Sequence, residues 1–509
     1  MKKVFVAVLM FFVVVVLAGT SDAWQGRIAG MGKPLGLIED ESDFLIHPAK
    51  IASGQGVQYY LDYQFAYTDL IHWDSKLTWY NPGGAGIDEY EHNNASSAQQ
   101  YDHNSLLGAS FGLGKGRMGV FFTYDKQMGD FDGDTDYDGD PGEFDTDSKL
   151  DNYALSLIYG LPVMNLDLGL ELGFAYRSEE QKESFQTNAL DFFTKNNVWP
   201  WEYFSGGFFP FMIPYDSSYW ELLGKAGVKK KLNAVDIDWS VRGGYILSSD
   251  SDNVYENKWQ TNGDYQADAN GDVRGYRIGS DLWIRHQVKD GLSLPFLVSV
   301  EYVKKDRDGD GYGTGLSDSG KLYQYEHITR TFEVKAGGGV EKEIKGCGRI
   351  GAGLYYNYLQ SRDDLWFDDY GSVYNSTRIP ANKEHRLVLN LAGEQVVSSD
   401  LTLRGGLDFF YGWVVSDDYK AVIDGGRFIN LPLNGRHWGI GASLGATKKF
   451  SCLTLEPFLK AGYREFDVDG DGEWTDTLVS GPPIVYPGTM EKQRSEWFLG
   501  AGFSLLFGK

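Results

Sequence analysis

The sequence predicts an all-β protein: a transmembrane antiparallel up-and-down β-barrel of about sixteen strands, or about fourteen, with a short N-terminal plug. Three observations predict this fold. Residues 151–177 alternate between apolar and polar or small side chains with a period of two, so one face is apolar. The same alternation recurs to the end of the chain. Short turns and long acidic loops take alternate places between the strands, as at the two ends of a membrane barrel.

The first residues of the chain have the three parts of a secretory signal peptide. A basic start at Lys2 and Lys3 precedes an apolar run from Val4 to Ala18, and a small residue, Ala23, ends it. We therefore expect a signal peptide at 1–23, an N-terminal periplasmic or plug segment at 24–54, and an outer-membrane β-barrel at 55–509.

The composition bounds the partners. The formal net charge is -24, which disfavours a nucleic acid and favours divalent cations. Cys347 and Cys452 fall in turns about four strands apart, too far for a direct disulfide, so two unpaired thiols are expected. No C-x-x-C-H pattern is present, so no haem is expected.

Residues 24–54 do not alternate. They contain Gly30-Met31-Gly32, an acidic stretch at 39–41, and His47, Pro48 and Ala49 as a plug motif. This segment resembles the N-terminal segment of the long-chain fatty-acid transporter superfamily of outer-membrane barrels, where Asn stands in place of His47. The resemblance implies a hatch folded into the barrel. An ordered tail below the barrel is the alternative.

The strands follow in order from residue 55. The first is predicted at 55–67, the last at 495–507, and the pairs between them meet at short turns. These turns are Gly114-Lys115-Gly116, Gly160-Leu161-Pro162, Asn233, Asp290-Gly291, Gly346, Ser398-Ser399-Asp400 and Ser451. The long segments are 69–104, 126–150, 178–218, 248–273, 305–322, 361–383, 414–436 and 467–494.

Charged residues on the polar face of the strands are predicted to point into the lumen, because a charge facing lipid costs a few kcal/mol. Either they line a hydrated pore and select what passes, or they pair with one another or with the N-terminal segment and seal the barrel. The lumen candidates are Glu171, Arg177, Asp238, Arg242, Arg277, Asp281, Arg285, Glu333, Lys335, Arg404, Asp408, Lys460 and Arg464.

The long loops carry a repeated acidic pattern. A D-x-D-x-D-G run followed by an acid at the twelfth position supplies the clustered oxygens that wrap Ca²⁺. One loop fits fully and two repeat its first half, so structural Ca²⁺ is predicted, with a solvated acidic loop as the alternative. The metal candidates are Asp134, Asp136, Asp138, Asp140, Asp145, Asp306, Asp308, Asp310, Asp467, Asp469 and Asp471.

The function predicted from these features is a porin or selective diffusion channel for small polar solutes in a Gram-negative outer membrane. One alternative is a transporter for hydrophobic substrates of the fatty-acid type, and another is a non-transporting surface scaffold or adhesin. No H-E-x-x-H occurs, so no enzyme is expected. The expected partners are outer-membrane lipid and lipopolysaccharide and the barrel insertion machinery, with a homo-oligomer left open.

Overall fold

The computed structural model describes most of the chain from residue 41 onward. The described ranges are 41–54, 56–81, 86–137, 140–187, 215–248, 266–314, 320–369, 377–416, 420–424, 427–430, 433–476 and 484–508. The predicted signal peptide, residues 24–40, Asp138 and the middle of loop 178–218 lie outside them.

Nearly all of the described chain is strand. The strands are β1 (Gln58–Asn81), β2 (Gly86–Leu113), β3 (Gly116–Tyr137), β4 (Asp140–Val163), β5 (Leu166–Thr187), β6 (Tyr215–Leu232), β7 (Val235–Ser248), β8 (Gln266–Lys289), β9 (Leu292–Thr314), β10 (Gly320–Ile344), β11 (Gly348–Asp369), β12 (Thr377–Ser398), β13 (Leu401–Ser416), β14 (Lys420–Asp424), β15 (Arg427–Asn430), β16 (Leu433–Lys449), β17 (Leu453–Asp476) and β18 (Ile484–Gly508).

The strands close into a barrel. Each long strand pairs antiparallel with its neighbours in sequence, and β18 returns to pair with β1. β13 pairs directly with β16, while β14 and β15 form a short hairpin above that junction. Within the described residues sixteen strands therefore close the barrel, which confirms the predicted fold class and the higher strand count. Closure leaves no unpaired edge, as a sheet in lipid requires.

The alternating pattern separates the two faces of the wall. On β4 and β5, Leu157 lies opposite Leu172 and Leu155 opposite Phe174, and these side chains point outward. Their intervening neighbours point into the barrel, where Ile158 and Ala175 are buried. Leu172 is 66% exposed, as a side chain that contacts lipid must be when the protein stands alone.

The short turns lie where the sequence predicts them, with one difference. Gly114, Asn233, Gly291 and Gly346 all have positive φ, the backbone geometry that tight turns require. The break predicted at Gly160-Leu161-Pro162 is wrong, since β4 runs on to Val163 and turns at Met164. Pro162 lacks an N–H, but the ladder continues past it because neighbouring residues keep their pairs.

The predicted long loops are shorter than expected because the strands continue far beyond the lipid-facing part. Loop 126–150 is a paired hairpin of β3 and β4, and most of 69–104 belongs to β1 and β2. A spanning strand needs about 9–11 residues, whereas β2 has 28. The alternation of apolar residues ends where the wall no longer contacts lipid. Backbone pairing between strands continues beyond that point, so the alternation underestimates strand length.

The N-terminal segment enters the barrel. Two 3-10 helices, η1 (Glu41–Leu45) and η2 (Pro48–Ser53), lie against the inner face of β3 to β6. We call residues 41–54 the lumen segment. No helix in the described part of the chain is long and apolar enough to cross a membrane.

Candidate functional site: the barrel lumen

Three glycines on neighbouring strands give the lumen segment room to approach the wall. Gly160 lies opposite Gly169, and Gly169 lies opposite Gly227, so the three form one row across β4, β5 and β6. A Cβ at Gly169 would lie 2.1 Å from the backbone N of Ala49, and one at Gly227 would lie 2.8 Å from the His47 ring. We call this glycine row the seat, because the lumen segment packs directly on it. Larger residues at these positions would displace the segment.

An apolar cluster fixes one side of the lumen segment. Phe44 and Ile51 are buried against Tyr60, Phe121 and their neighbours on the inner face of the wall. The Phe44 and Phe121 ring centroids are 5.2 Å apart, and those of Phe44 and Tyr60 are 5.6 Å apart. The rest of the cluster is Leu106 and Ile158, with Leu45 and Leu506 packed beside it.

Polar contacts fix the other side. Lys50 Nζ lies 2.9 Å from Asp43 Oδ2 within the segment and 3.2 Å from Asp238 Oδ2 on β7. Lys225 on β6 donates to the backbone carbonyl of Ile46. A cavity of about 30 Å³ lies beside these groups and is lined by both charged and apolar side chains, among them Asp43, Lys50 and Phe296. The lumen segment is thus held by charge as well as by packing.

His47 of the predicted plug motif is one of the most buried side chains in the lumen, at 1% exposure. Burial lowers the pKa of His47, Lys50 and Lys225 lower it further, and Asp238 opposes them. The ring is therefore neutral at pH 7. Pro48 and Ala49 are buried beside it, so all three residues of the motif lie at the seat.

A central network joins the lumen segment to β6–β9. Arg242 forms ion pairs with Asp281 and, at 2.5 Å, with Glu301. Lys225 Nζ lies 3.8 Å from Asp281 Oδ2, which connects the network to the segment. Arg277 extends it, 3.5 Å from Glu301 and 2.5 Å from Glu221. Cations and carboxylates alternate, so the charges compensate one another.

A second network, which we call the charge belt, runs along the inner face near the short turns. Arg349 joins Glu341 at 3.3 Å to Glu394 at 2.5 Å, and Arg404 joins Glu394 at 3.3 Å to Glu456 at 3.5 Å. Arg285 ends the belt by pairing with Glu341. Ser293 and Thr447 donate to the carboxylates of Glu341 and Glu456 from the intervening strands.

The structure places all thirteen predicted lumen residues on the inward face but does not bring them into one cluster. Asp238 contacts the segment, Arg242, Arg277 and Asp281 belong to the central network, and Arg285 and Arg404 belong to the belt. Glu171 lies opposite Lys225 of the central network. The others lie apart from both networks: Glu333 pairs with Lys335, Arg177 donates to Tyr219, Arg464 pairs with Glu496, and Asp408 lies near Lys460 and Arg464.

Several charged residues of these networks, among them Glu221, Lys225 and Glu341, are absent from the predicted set. Glu341, Arg349 and Glu394 lie close to the short turns. Charged residues are expected near turns whichever face they are on, so their charge alone did not indicate that they point into the lumen. Lys225 lies on β6 two residues before Gly227. Alternate residues of a strand face the same side of the sheet. Following this alternation to the last residue of each strand could have identified them as lumen residues.

The predicted metal residues lie on extended strands. Asp134 and Asp136 belong to β3, Asp140 and Asp145 to β4, Asp306, Asp308 and Asp310 to β9, and Asp467, Asp469 and Asp471 to β17. Alternate residues of a strand are roughly 6.6 Å apart, so one run does not wrap an ion as a coiled loop does. Among the described residues no group of three His, Cys, Asp or Glu could hold a metal. Ca²⁺ binding stays a prediction.

The closed sheet and its surface define the class of protein. Its outer face carries an apolar band bordered by aromatic pairs such as Tyr153–Tyr176 and Tyr276–Tyr302. Its inner face is polar and holds the lumen segment. This is the arrangement of an integral outer-membrane β-barrel protein.

Comparisons with known proteins add a likeness of fold. No protein-family model matches the chain, and no curated protein matches it. Among solved structures, a Pseudomonas aeruginosa FadL homologue is 11% identical with a TM-score of 0.44, over 96% of this chain and 99% of that one. The P. putida toluene transporter TodX is 12% identical with a TM-score of 0.39, over 97% and 99%.

The Ralstonia pickettii toluene transporter TbuX is also similar, 11% identical with a TM-score of 0.34, over 96% of this chain and 98% of that one. Identities and scores this low carry no argument about function. The assignment to a class therefore rests on the barrel itself.

Proposed function

We propose that the protein transports small hydrophobic molecules across a Gram-negative outer membrane, with the lumen segment as a hatch. The observation that supports this best is the apolar cluster inside the lumen, where Phe44 and Ile51 of the segment meet Tyr60, Leu106 and Phe121 of the wall. Releasing the segment would expose these apolar side chains to the bore. A hydrophobic molecule gains free energy on such a surface, at about 25 cal/mol per Å² removed from water.

Further apolar groups face inward away from the hatch. Leu297, Tyr355 and Ala392 form a second buried cluster, and Tyr219, Ile246 and Val273 form a third. The lumen wall therefore holds buried apolar side chains at three places. The charges between them are largely paired with one another, which supports the interpretation that they seal the barrel rather than line a hydrated pore.

A channel for small polar solutes is the second candidate. The observation that favours it is the set of inward charges outside the two networks, among them Glu333, Lys335, Asp408 and Lys460. Such groups can line a hydrated path on the loop side of the lumen.

Uptake by whole cells tests the proposal. Cells that lack the gene are complemented with the wild-type chain, and uptake of radiolabelled toluene and oleate is compared with uptake of a labelled disaccharide. We expect the wild type to restore uptake of a hydrophobic probe and not of the sugar. Sugar uptake alone would favour the polar channel, and restoration of neither would favour a surface scaffold.

Conductance in planar bilayers tests the hatch separately. The wild-type barrel is expected to be closed, and Phe44→Ala is expected to open it because the substitution removes about 3–5 kcal/mol of packing. Met164→Ala is the matched control, since Met164 is fully exposed in a turn. Steady ohmic openings of the wild type would contradict the hatch.

A further inference from the structure

We propose that the outer face of β8–β12 binds the phosphates of an anionic lipid in the leaflet on the loop side of the barrel. Three cations meet there side by side. Lys304 on β9 lies directly opposite Arg330 on β10, and Arg330 lies directly opposite Arg362 on β11. Neighbouring strands are about 4.8 Å apart, so the three backbone positions span about 10 Å. We call these residues the cation row.

The cation row faces outward. Two residues closer to the short turns on the same strands lie Tyr302, Phe332 and Gln360, which are opposite one another. Tyr302 packs on Tyr276 with ring centroids 5.9 Å apart, and Phe332 packs on Tyr358 at 6.3 Å. Aromatic residues at this position mark the border between hydrocarbon and headgroups. The row lies directly on the headgroup side of that border.

More basic residues flank the row. On β8, Arg274 lies on the same outer face two residues beyond Tyr276, and on β12 Lys383 lies opposite Gln360. Asp306, opposite Arg274 and 3.3 Å from Lys304, and Asp272, two residues beyond Arg274, bring negative charge to the same face. Among the described side chains here, five cations stand against these two carboxylates, on a chain whose formal net charge is -24.

Like charges directly opposite each other on neighbouring strands are destabilising. An external anion held between them offsets this repulsion, and phosphate is well matched, because guanidinium groups bind its oxygens with paired hydrogen bonds. The row's place at the membrane border selects a phosphate carried by a lipid headgroup, since basic residues there interact favourably with anionic lipids.

The other side of the barrel lacks this feature at the same level. On β4–β6 the aromatic row is Tyr153, Tyr176 and Trp220, and the row beyond it is Asp151, Ser178 and Ser218. Three outward cations elsewhere lie beside carboxylates. Lys126 lies opposite Asp151, Lys149 is 2.8 Å from Asp151, and Arg436 lies opposite Asp467. These three cations are the matched control.

Lipid binding tests the proposal. The purified full-length barrel in detergent is titrated with bisphosphorylated lipid A, and bound lipid is measured by native mass spectrometry. The triple variant K304Q/R330Q/R362Q is expected to bind on the order of a hundredfold more weakly. The control variant K126Q/K149Q/R436Q, which loses the same charge, is expected to bind within a few-fold of the wild type.

Three results would overturn the proposal: equal binding by the triple variant, an equal loss in the control variant, or equal binding of dephosphorylated lipid A. Competition by inorganic phosphate at the same concentration would also overturn it, since the row would then be a site for free phosphate. Heat-modifiable migration shows whether each variant is folded. The variant R330K/R362K keeps the charge and is expected to retain most of the binding.

Discussion

The two sides of the lumen hold their contents in different ways. On β3–β6 the wall has glycines where the lumen segment lies against it. The segment fills the space with apolar and polar contacts. On β8–β17 the wall carries the charge belt, whose groups pair with one another and leave no role for the segment. One side is built to receive a separate element, and the other is complete by itself. The difference predicts which substitutions move the segment and which weaken the barrel.

The largest effect is expected from Gly169→Leu. A side chain at this position meets the backbone of Ala49 and Pro48, which cannot give way, so the segment should leave its seat. Trypsin cleavage after Lys50, followed by mass spectrometry, measures this release, and we expect cleavage to rise from slow to complete. Gly112→Leu is the control because a Cβ at Gly112 meets nothing within 4 Å. Equal cleavage in the two variants would refute the seat.

Arg404→Met should weaken the barrel and leave the segment in place. Arg404 is 4% exposed in its side chain and joins Glu394 to Glu456, so the substitution removes one of the two cations that contact Glu394 and the cation that contacts Glu456. A loss of about 3–5 kcal/mol in unfolding free energy is expected in urea titrations. Arg464→Met should cost under about 1 kcal/mol, because the Arg464 side chain is half exposed and Arg494 also contacts Glu496, at 2.7 Å. Faster cleavage at Lys50 in Arg404→Met would remove the distinction between the two sides.

We expect acid to weaken the docking of the lumen segment on the glycine row and to leave the charge belt intact. The pKa of His47 is lowered in the docked segment, so the released segment binds the proton more readily. Docking is therefore at full strength above pH 6.5, the ordinary value for His, and weakens as the pH falls below it. The groups around the ring are Asp43, Lys50, Lys225 and Asp238.

Lys50 cleavage by a protease active at both pH values, compared between pH 7 and pH 5, measures the effect. We expect a rise in the wild type and a flat response in His47→Gln, which keeps the size and cannot be protonated. A rise that persists in His47→Gln would assign the pH dependence to another group.

The smallest effect is expected at an exposed ion pair near the belt. Lys448 and Ser398 lower the pKa of Asp400 to about 2 in the turn between β12 and β13. A folded-state pKa below the ordinary value means that this stabilisation is present at neutral pH and is lost as the pH falls toward 2. Carbon-detected NMR of the Asp400 carboxyl should show the low pKa, and Lys448→Met should return it toward the ordinary range. The unfolding midpoint should hardly move, because solvent screens an exposed pair.

The sequence predicted the barrel because lipid imposes a strict pattern. Leu155, Leu157 and Leu172 alternate with small or polar residues, and Asp290-Gly291 marks a hairpin that the structure contains. The same parity assigns charges such as Asp238 and Arg404 to the inward face, where both contact other lumen residues. What the sequence could not predict is which charges meet, because Arg349 and Glu394 are neighbours only through strand register.

The seat was also beyond prediction. Gly160, Gly169 and Gly227 are ordinary glycines in sequence and are flanked by different residues. Their alignment depends on the registers of two strand pairs, and their role depends on a segment more than a hundred residues away. The motif at His47 pointed to a plug, but not to the surface that receives it.

The long strands have a consequence for what the protein meets first. A strand of 24 residues, such as β1, is roughly 80 Å long, or about 60 Å tall at the tilt of a barrel. Hydrocarbon accounts for about 30 Å of that height. The remaining wall extends above the bilayer as a hollow cylinder, and the sequence at its far end is rich in aspartate. Under the proposed function, a hydrophobic molecule that entered at the top would cross the layer of surface sugars inside the protein, sheltered from a coat that would otherwise exclude it.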